Sequence, residues 1–127
     1  MRKLGPGTVA LITALSFAGT TVAVAQQQQQ GTASYYTGGQ NGKTITKSGE
    51  PVNPQSNTAA SPNLPLGSTA KVTNQKTGQS TNVRITDRGP TPRKARKGRV
   101  IDLSKKSAND IGISEKSGTA PVTVKQQ

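Results

Sequence analysis

Alternation of apolar and polar residues is the main pattern of this chain, and it predicts short β-strands separated by turns. Residues 68–74 and 79–86 alternate on either side of the turn 75–78, which predicts a β-hairpin. Gly and Pro are frequent between such runs, 14 and 8 in the whole chain, as a compact barrel with many turns requires. Three further runs have the same character: 31–36, 99–103 and 121–125. We therefore expect a mainly β domain.

One short helix interrupts the strand pattern. Residues 105–111 have helical spacing, with Ser104 as a candidate N-cap and Gly112 where a helix would end. A second, shorter turn is expected around 56–60. The candidate core is small and aliphatic and supports one domain of this length. Its members are Val72, Val83, Ile85, Val100, Ile101, Leu103, Ile111, Ile113, Val122 and Val124.

The N-terminal segment has the pattern of a targeting sequence. Residues 1–25 carry Arg2 and Lys3, then an uncharged and mostly apolar stretch, then small residues at Ala23 and Ala25, which is typical of a secretory signal peptide. A retained membrane anchor is the alternative, but Thr, Ser and Gly interrupt the apolar run. We predict export, no membrane anchor after cleavage, and a Gln-rich disordered spacer at 26–30. The folded domain would occupy 31–127.

Composition limits the available chemistry. The 127 residues include no Cys and no His, which excludes thiol nucleophiles, lipid-accepting Cys, disulfides, imidazole catalysis and His-ligated metals. We accordingly predict no metal site and no cofactor. Carboxylates or Lys must carry any acid–base chemistry, and the chain has only five carboxylate side chains: Glu50, Asp87, Asp102, Asp110 and Glu115.

Several short motifs occur in a specific order along the mature chain. They are Gly-Thr-Ala-Ser-Tyr-Tyr at 31–36, Thr-Lys-Ser-Gly-Glu at 46–50, the segment 58–67, Thr-Asp-Arg-Gly-Pro at 86–90 and Arg-Val-Ile-Asp-Leu-Ser at 99–104. Each is weak alone, but the ordered set resembles the RlpA-like family of septal-ring lytic transglycosylases. The resemblance covers nearly the whole chain from 31 to about 124.

The resemblance implies a fold and an activity. The fold would be a six-stranded double-psi β-barrel, related to expansins and barwin, with one or two short helices. The activity would be a non-hydrolytic cut between N-acetylmuramic acid and N-acetylglucosamine in peptidoglycan, of the polysaccharide-lyase type, which leaves 1,6-anhydro ends. The family's Asp and Glu correspond to Asp87 and Glu50. Where the family usually has a His, this chain has Ser61, which cannot shuttle a proton near neutral pH.

The chemistry can also be argued from the residues. Attack by the sugar's own 6-hydroxyl is intramolecular, so one carboxyl group could protonate the leaving oxygen and then accept the hydroxyl proton. Asp87 precedes a turn at a strand end, which suits that role, although it could instead cap the turn or pair with Arg84 or Arg88. Glu50 could equally be a solvated loop charge. The alternative function is a non-catalytic, expansin-like glycan-binding module.

Other candidate substrate-binding residues are aromatic or cationic. Tyr35 and Tyr36 fall on opposite faces of one strand, so one should be in the core and the other free to stack on a sugar. We expect Asp102 to be structural, and Asp110 and Glu115 to be surface charges. The candidate binding set is Tyr36, Ser61, Arg88, Arg93, Lys94, Arg96 and Lys97.

The net charge indicates the kind of partner. The chain has 17 basic and 5 acidic residues, and five cations fall within 93–99. Such runs are often solvated loops and sometimes bind nucleic acid, but an exported protein more often meets anionic cell-wall polymer. We therefore expect peptidoglycan glycan strands and anionic wall polymer as partners, no nucleic acid, and a monomer.

Overall fold

Six strands and two short helices make up the fold. The computed structural model describes residues 28–37 and 44–127. In chain order the elements are β1 (Gln28–Tyr36), β2 (Thr58–Ala60), β3 (Thr69–Asn74), β4 (Ser80–Asp87), α1 (Pro92–Arg96), β5 (Arg99–Ser104), α2 (Lys105–Asp110) and β6 (Thr119–Gln126). The strands close into a barrel in the order β1-β5-β2-β4-β3-β6. The expected mainly β, six-stranded barrel is confirmed.

The β3–β4 hairpin follows directly from the alternating pattern. Ala70, Val72 and Asn74 of β3 are buried, whereas the residues between them are more exposed. The two strands pair antiparallel, and the turn between them ends at Gly78, whose φ of 76° favours glycine. The side-chain period of two therefore fixes which face of the hairpin enters the core.

Two parallel strand pairs bring the ends of distant segments together. β1 pairs parallel with β5, and β2 pairs parallel with β4. Ala60, the last residue of β2, lies opposite Asp87 of β4 on one side and opposite Asp102 of β5 on the other. The crossovers thus place two carboxylate residues from different parts of the chain beside the same short strand.

Gly31 marks a close approach between β1 and β5. A Cβ placed on Gly31 would lie 2.6 Å from the Gly98 carbonyl oxygen and 2.5 Å from Cγ1 of Val100. The next residue, Thr32, donates its N–H to the same Gly98 oxygen at 2.8 Å. Only a residue without a side chain fits this point of the barrel seam.

The core is aliphatic, as the pattern predicted. All ten predicted core residues except Val100 are buried, and Val100 is partly buried against the same cluster. Leu64, which the alternating pattern does not include, is 1% exposed and joins this core from the loop after β2. Tyr35 packs against the cluster as well.

The helix after β5 matches its sequence signals. The Ser104 side chain accepts a hydrogen bond from the N–H of Ser107, as an N-cap should, and Gly112 follows the helix with a φ of 82°. Within residues 28–37 and 44–127, no helix combines the length and apolar character needed to cross a bilayer.

Three local predictions need correction or lie outside the described residues. The predicted spacer at 26–30 is wrong for Gln28–Gln30, which belong to β1 and pair with β6. The turn expected around 56–60 gives way to strand β2 at Thr58–Ala60, held between β4 and β5. The predicted signal peptide at 1–25 lies outside the described residues.

The cationic run also differs from a simple solvated loop. Its first half forms helix α1, with Thr91 as the N-cap: the Thr91 side chain accepts a hydrogen bond from the N–H of Lys94. Pro92 stands at the start of the helix, where the missing N–H costs nothing. None of the residues of α1 is buried. The cations therefore project from a short helix on the surface of the barrel.

Candidate active site

A cavity of about 360 Å³ opens beside the ends of β1, β2 and β4. We call it the polar cavity, because most of its lining side chains carry a hydroxyl, amide or charged group. The lining residues are Tyr36, Thr46, Glu50, Pro51, Asn53, Ser56, Thr58, Arg84 and Thr86. Hydroxyl and amide groups in this arrangement suit a ligand rich in hydroxyls, such as a sugar.

Glu50 lies on a loop that is docked onto β4. The loop is closed by a bridge between Ile45 and Pro51, and the Glu50 carbonyl accepts hydrogen bonds from the N–H and the hydroxyl of Thr46 at 2.8 and 3.0 Å. The N–H of Ser48 donates to the Thr86 carbonyl of β4 at 3.0 Å. The contacts within the loop 44–52, together with its docking onto β4, therefore hold Glu50 at the rim of the polar cavity.

The Glu50 side chain forms a bidentate ion pair with Arg84. Nη2 of Arg84 donates to Oε1 at 2.7 Å, Nη1 donates to Oε2, and the Ser48 hydroxyl also donates to Oε2 at 3.2 Å. The hydrogen bonds from Arg84 lower the pKa of Glu50 below its ordinary value. Glu50 is thus an anion at neutral pH. The alternative pairing of Arg84 with Asp87 is wrong, since Arg84 pairs with Glu50.

Asp87 ends β4 in a very different environment. The residue is 8% exposed, and its Oδ1 accepts hydrogen bonds from the N–H groups of Lys47 and Arg88 at 3.0 and 2.9 Å. Its Oδ2 accepts no hydrogen bond from the residues that the structure describes. One carboxylate oxygen of Asp87 therefore anchors the Glu50 loop, and the other is available for chemistry.

Ser61 lies beside Asp87 but does not line the polar cavity. The Ser61 N–H donates to the Asp87 carbonyl at 3.0 Å, which joins the two segments. The Ser61 side chain is 0% exposed, and its hydroxyl accepts hydrogen bonds from the N–H groups of Leu64 and Asn63 at 3.0 and 3.3 Å. That Ser61 contacts substrate stays a prediction; in this structure its hydroxyl caps the turn that follows β2.

Tyr36 is the aromatic residue of the polar cavity. Its hydroxyl lies 3.1 Å from Oγ1 of Thr58, whereas Tyr35 packs on the opposite side against the core. Burial raises the pKa of Tyr36, and the charges of Asp87 and Asp102 raise it further, against the opposing effect of the Thr58 hydrogen bond. The phenol therefore stays protonated at neutral pH and can donate to a ligand.

The polar cavity also contains a hydroxyl without a partner. Thr86 is 2% exposed, and its Oγ1 forms no hydrogen bond with the described residues. Buried hydroxyls are nearly always hydrogen-bonded, so this one is a candidate for contact with a water molecule or a ligand. Sequence analysis missed Arg84 and Thr86, although alternation along β4 places both on the face opposite Ile85.

A second cavity, of about 520 Å³, is lined mostly by residues that follow Asp87 in the chain, whereas Asp87 itself lines neither cavity. We call it the α1 groove. It is lined by Pro62, Arg88, Gly89, Pro90, Thr91, Pro92, Ala95 and Arg96. Nη1 of Arg88 donates to the carbonyls of Ser61 and Leu64 at 3.1 and 2.6 Å, which fixes the guanidinium at the groove.

The remaining predicted site residues are arranged around α1. Arg96 lines the α1 groove, whereas Arg93 and Lys94 of the same helix and its C-cap Lys97 are exposed and line neither cavity. Asp102 is 8% exposed and accepts a hydrogen bond from the Ser34 hydroxyl. Asp110 and Glu115 form exposed ion pairs with lysines, in agreement with surface roles.

Comparison with solved structures defines the class of fold. A Streptomyces papain inhibitor superposes with a TM-score of 0.60 at 22% identity, covering 80% of this chain and 96% of the inhibitor. A mutant Clavibacter michiganensis expansin in complex with cellohexaose superposes with a TM-score of 0.57 at 20% identity, covering 80% of this chain and 50% of the expansin. With the closed six-stranded barrel, these likenesses identify a double-psi β-barrel domain.

Sequence comparison defines the family. Residues 28–124 match the model of the family described as lytic transglycolase, and the chain belongs to that family. It is 46% identical over 96 residues to a probable endolytic peptidoglycan transglycosylase RlpA of Nostoc, which covers 75% of this chain and 24% of the relative. The corresponding protein of Campylobacter jejuni is 41% identical over 102 residues, covering 80% of this chain and 35% of the relative. The match spans roughly a quarter to a third of these relatives' length.

Proposed function

We propose that this chain is a peptidoglycan lytic transglycosylase in which Asp87 is the general acid and base. The supporting observation is the asymmetry of the Asp87 carboxylate: Oδ1 is anchored by two backbone N–H groups, and Oδ2 is unengaged by the described residues. A catalytic group must be held at a fixed position and still have a free atom for proton transfer. The names of the relatives support the glycan backbone of peptidoglycan as the substrate.

The proposed reaction needs one proton carrier and no water. Asp87, protonated on Oδ2, gives its proton to the glycosidic oxygen between N-acetylmuramic acid and N-acetylglucosamine, and the bond from that oxygen to muramoyl C1 breaks. The muramoyl 6-hydroxyl oxygen bonds to C1 and its proton returns to Oδ2, which leaves a 1,6-anhydro end. Because the nucleophile is tethered to the reacting sugar, no second carboxylate has to activate it.

Glu50 has a supporting role in this proposal. Its pairing with Arg84 keeps it ionised, so it is unsuited to donate the proton. A fixed carboxylate at the rim of the polar cavity can instead accept hydrogen bonds from sugar hydroxyls and stabilise positive charge that develops at the reacting sugar. In this proposal Asp87 transfers the proton, and Glu50 binds sugar hydroxyls and stabilises positive charge.

The Asp87→Asn variant tests the catalytic role. The Asn side-chain oxygen can still accept the two backbone hydrogen bonds, so the fold and the Glu50 loop should be retained. Loss of general acid–base catalysis lowers rates by about 10²–10⁴-fold. Purified sacculi are digested with wild type and variant, and 1,6-anhydro products are quantified by mass spectrometry. Absence of product from folded wild-type protein over a range of pH and salt would reject the enzymatic proposal.

The cellular setting follows from the same proposal. An exported enzyme of this kind would act in the periplasm or cell wall and would contribute to cell-wall remodelling. The exposed cations of α1 and its C-cap would attract anionic wall polymer rather than nucleic acid; they are Arg93, Lys94, Arg96 and Lys97. We propose that the domain works as a monomer, without a metal ion or other cofactor.

A second candidate function is non-catalytic binding of glycan, as in an expansin-like module. The observation that favours it is the buried Ser61 hydroxyl, which supplies no titratable group where the family usually has a His. In that case the Asp87→Asn variant and the wild type would bind sacculi with equal affinity, and neither protein would release anhydro product. Binding would fall steeply with added salt, since exposed charges are screened beyond about 8–10 Å at physiological ionic strength.

A further inference from the structure

The two cavities lined by the chain neighbours of Asp87 differ in size and chemistry. Thr86, which precedes Asp87, lines the polar cavity of about 360 Å³, and Arg88, which follows Asp87, lines the α1 groove of about 520 Å³. The polar cavity presents hydroxyl groups, including those of Tyr36 and Thr58. The α1 groove presents three prolines, an alanine and two arginines. Asp87 lines neither cavity, but its two neighbours in the chain each line one of them.

The arginines of the α1 groove are available to an anion. The three ion pairs among the described residues use Arg84, Lys105 and Lys106, and none involves Arg88 or Arg96. Nη1 of Arg88 is occupied by two backbone carbonyls, but a guanidinium has five N–H donors, so Nε and Nη2 keep theirs. Two guanidinium groups beside an apolar wall form a site for a carboxylate attached to a small apolar group.

We propose that the α1 groove holds the N-acetylmuramic acid unit at the cleavage point, and that the polar cavity holds the N-acetylglucosamine unit. This inference rests on the proposed function. The two sugars share a ring and an acetamide group, and they differ only in the lactyl ether of the muramoyl unit. That ether adds a methyl group and a carboxyl group, the two features that the α1 groove can recognise.

Three independent properties of the cavities agree with this assignment. The larger cavity takes the larger sugar. The carboxylate meets Arg88 and Arg96, while the methyl group meets Pro90 and Ala95. The sugar without a charge meets the hydroxyl-lined cavity, where the unpartnered Oγ1 of Thr86 can hydrogen-bond to a sugar hydroxyl.

The assignment gives the glycan strand a direction across the barrel. The bond to be cut lies over Asp87, with the muramoyl C1 on the α1 side and the leaving oxygen of N-acetylglucosamine on the side of the polar cavity. The proposed reaction then requires Oδ2 of Asp87 to meet both the leaving oxygen and the 6-hydroxyl of the muramoyl unit. The reverse orientation would put the carboxylate beside Glu50, which is already an anion, and like charges repel.

Binding of two matched oligosaccharides tests the assignment. The probes are an N-acetylglucosamine–N-acetylmuramic acid tetrasaccharide without stem peptides and a tetrasaccharide of N-acetylglucosamine alone, which lacks only the lactyl groups. Binding is measured by calorimetry on the mature Asp87→Asn protein, so that neither probe is cleaved. We expect the muramoyl probe to bind more tightly, because a hydrogen bond to a charged group is worth about tenfold or more in affinity.

Removal of a single charge locates the recognition. In the same background, Arg96→Gln should weaken binding of the muramoyl probe by about tenfold and leave the other probe unchanged. Arg93→Gln is the matched control, since it removes the same charge from the same helix at a position outside the groove. It should preserve the ratio of the two affinities. Arg96→Gln is preferred to a change at Arg88, which also holds the turn after β2.

Each outcome supports or overturns a specific statement. Equal affinity for the two probes, or an equal effect of Arg96→Gln and Arg93→Gln on their ratio, overturns the assignment while glycan binding stands. Binding of neither probe by folded protein counts against the proposed function itself. Binding of a free stem peptide that Arg96→Gln abolishes, without a preference between the tetrasaccharides, would assign the groove to peptide and overturn the inference.

Discussion

The two carboxylates of the candidate site lie close along the fold, but their surroundings differ. Asp87 is buried and is held by backbone N–H groups, whereas the Glu50 side chain is 43% exposed and is held by the side chain of Arg84. Backbone anchoring fixes position and leaves one oxygen free; bidentate pairing with an arginine fixes charge and occupies both oxygens. Two neighbouring acidic residues are therefore not equivalent, and the difference supports the proposal that Asp87 transfers the proton while Glu50 gives electrostatic support.

The largest expected effect comes from exchanging each carboxylate for its amide. Asp87→Asn should remove nearly all anhydro product, whereas Glu50→Gln should keep a measurable rate, because it removes charge but no proton carrier. Rates of product formation on sacculi, measured by mass spectrometry, give the ratio between the two variants. A greater loss in Glu50→Gln than in Asp87→Asn, with both proteins folded, would reverse the assignment of roles.

A smaller effect is expected when Asp87 loses its anchoring oxygen. Asp87→Ala removes the acceptor for the N–H groups of Lys47 and Arg88, so the loop that carries Glu50 should open more often. At about 1 kcal/mol for each of the two lost hydrogen bonds, trypsin should cut after Lys47 roughly thirtyfold faster than in wild type. Asp87→Asn is the control and should be cut at the wild-type rate. Equal cutting of the two variants would show that Oδ1 does not hold the loop.

The smallest effect concerns the pH dependence of stability. Arg84 lowers the pKa of Glu50 in the folded state, so the pair contributes stability above the ordinary Glu pKa, near 4.5, and that contribution disappears as pH falls through the lowered value. The difference in unfolding free energy between wild type and Arg84→Gln should therefore be greatest at neutral pH and shrink in acid. Urea denaturation from pH 7 to pH 3 measures it, with Lys106→Gln, which breaks the exposed pair with Asp110, as the control. A difference that grows in acid would contradict the sign.

The parts of the fold that sequence predicted are those with a local signal. Alternation predicted five of the strands because one face of each enters an aliphatic core. The N-cap at Ser104 could also be predicted, because the residue that it caps, Ser107, is only three positions away in the sequence. Helix α1 was missed because it buries no side chain, so its sequence shows no helical repeat of apolar residues. Its capping residue, Thr91, is followed by Pro92 and then mostly by cations, which do not by themselves indicate a helix.

The site was predictable only in part, because its contacts join distant segments. The motif that contains Asp87 indicated a catalytic candidate, but the ion pair of Glu50 with Arg84 spans 34 positions and depends on the docking of the loop onto β4. The burial of Ser61 depends on the turn that its own hydroxyl caps, which the strand pattern does not describe. Even the start of β1 at Gln28 depends on β6, some hundred residues later, since polar glutamines carry no strand signal of their own.

The separation of α1 from the core has a consequence for how such proteins diversify. None of the residues of this helix is buried, and it stands between two strand ends without contributing to the packing of the barrel. Exchanges at its charged positions are therefore nearly free of folding cost. The surface charge can thus change at Arg93 and Lys94, which lie outside the α1 groove, while the strands that hold the two carboxylates keep their packing.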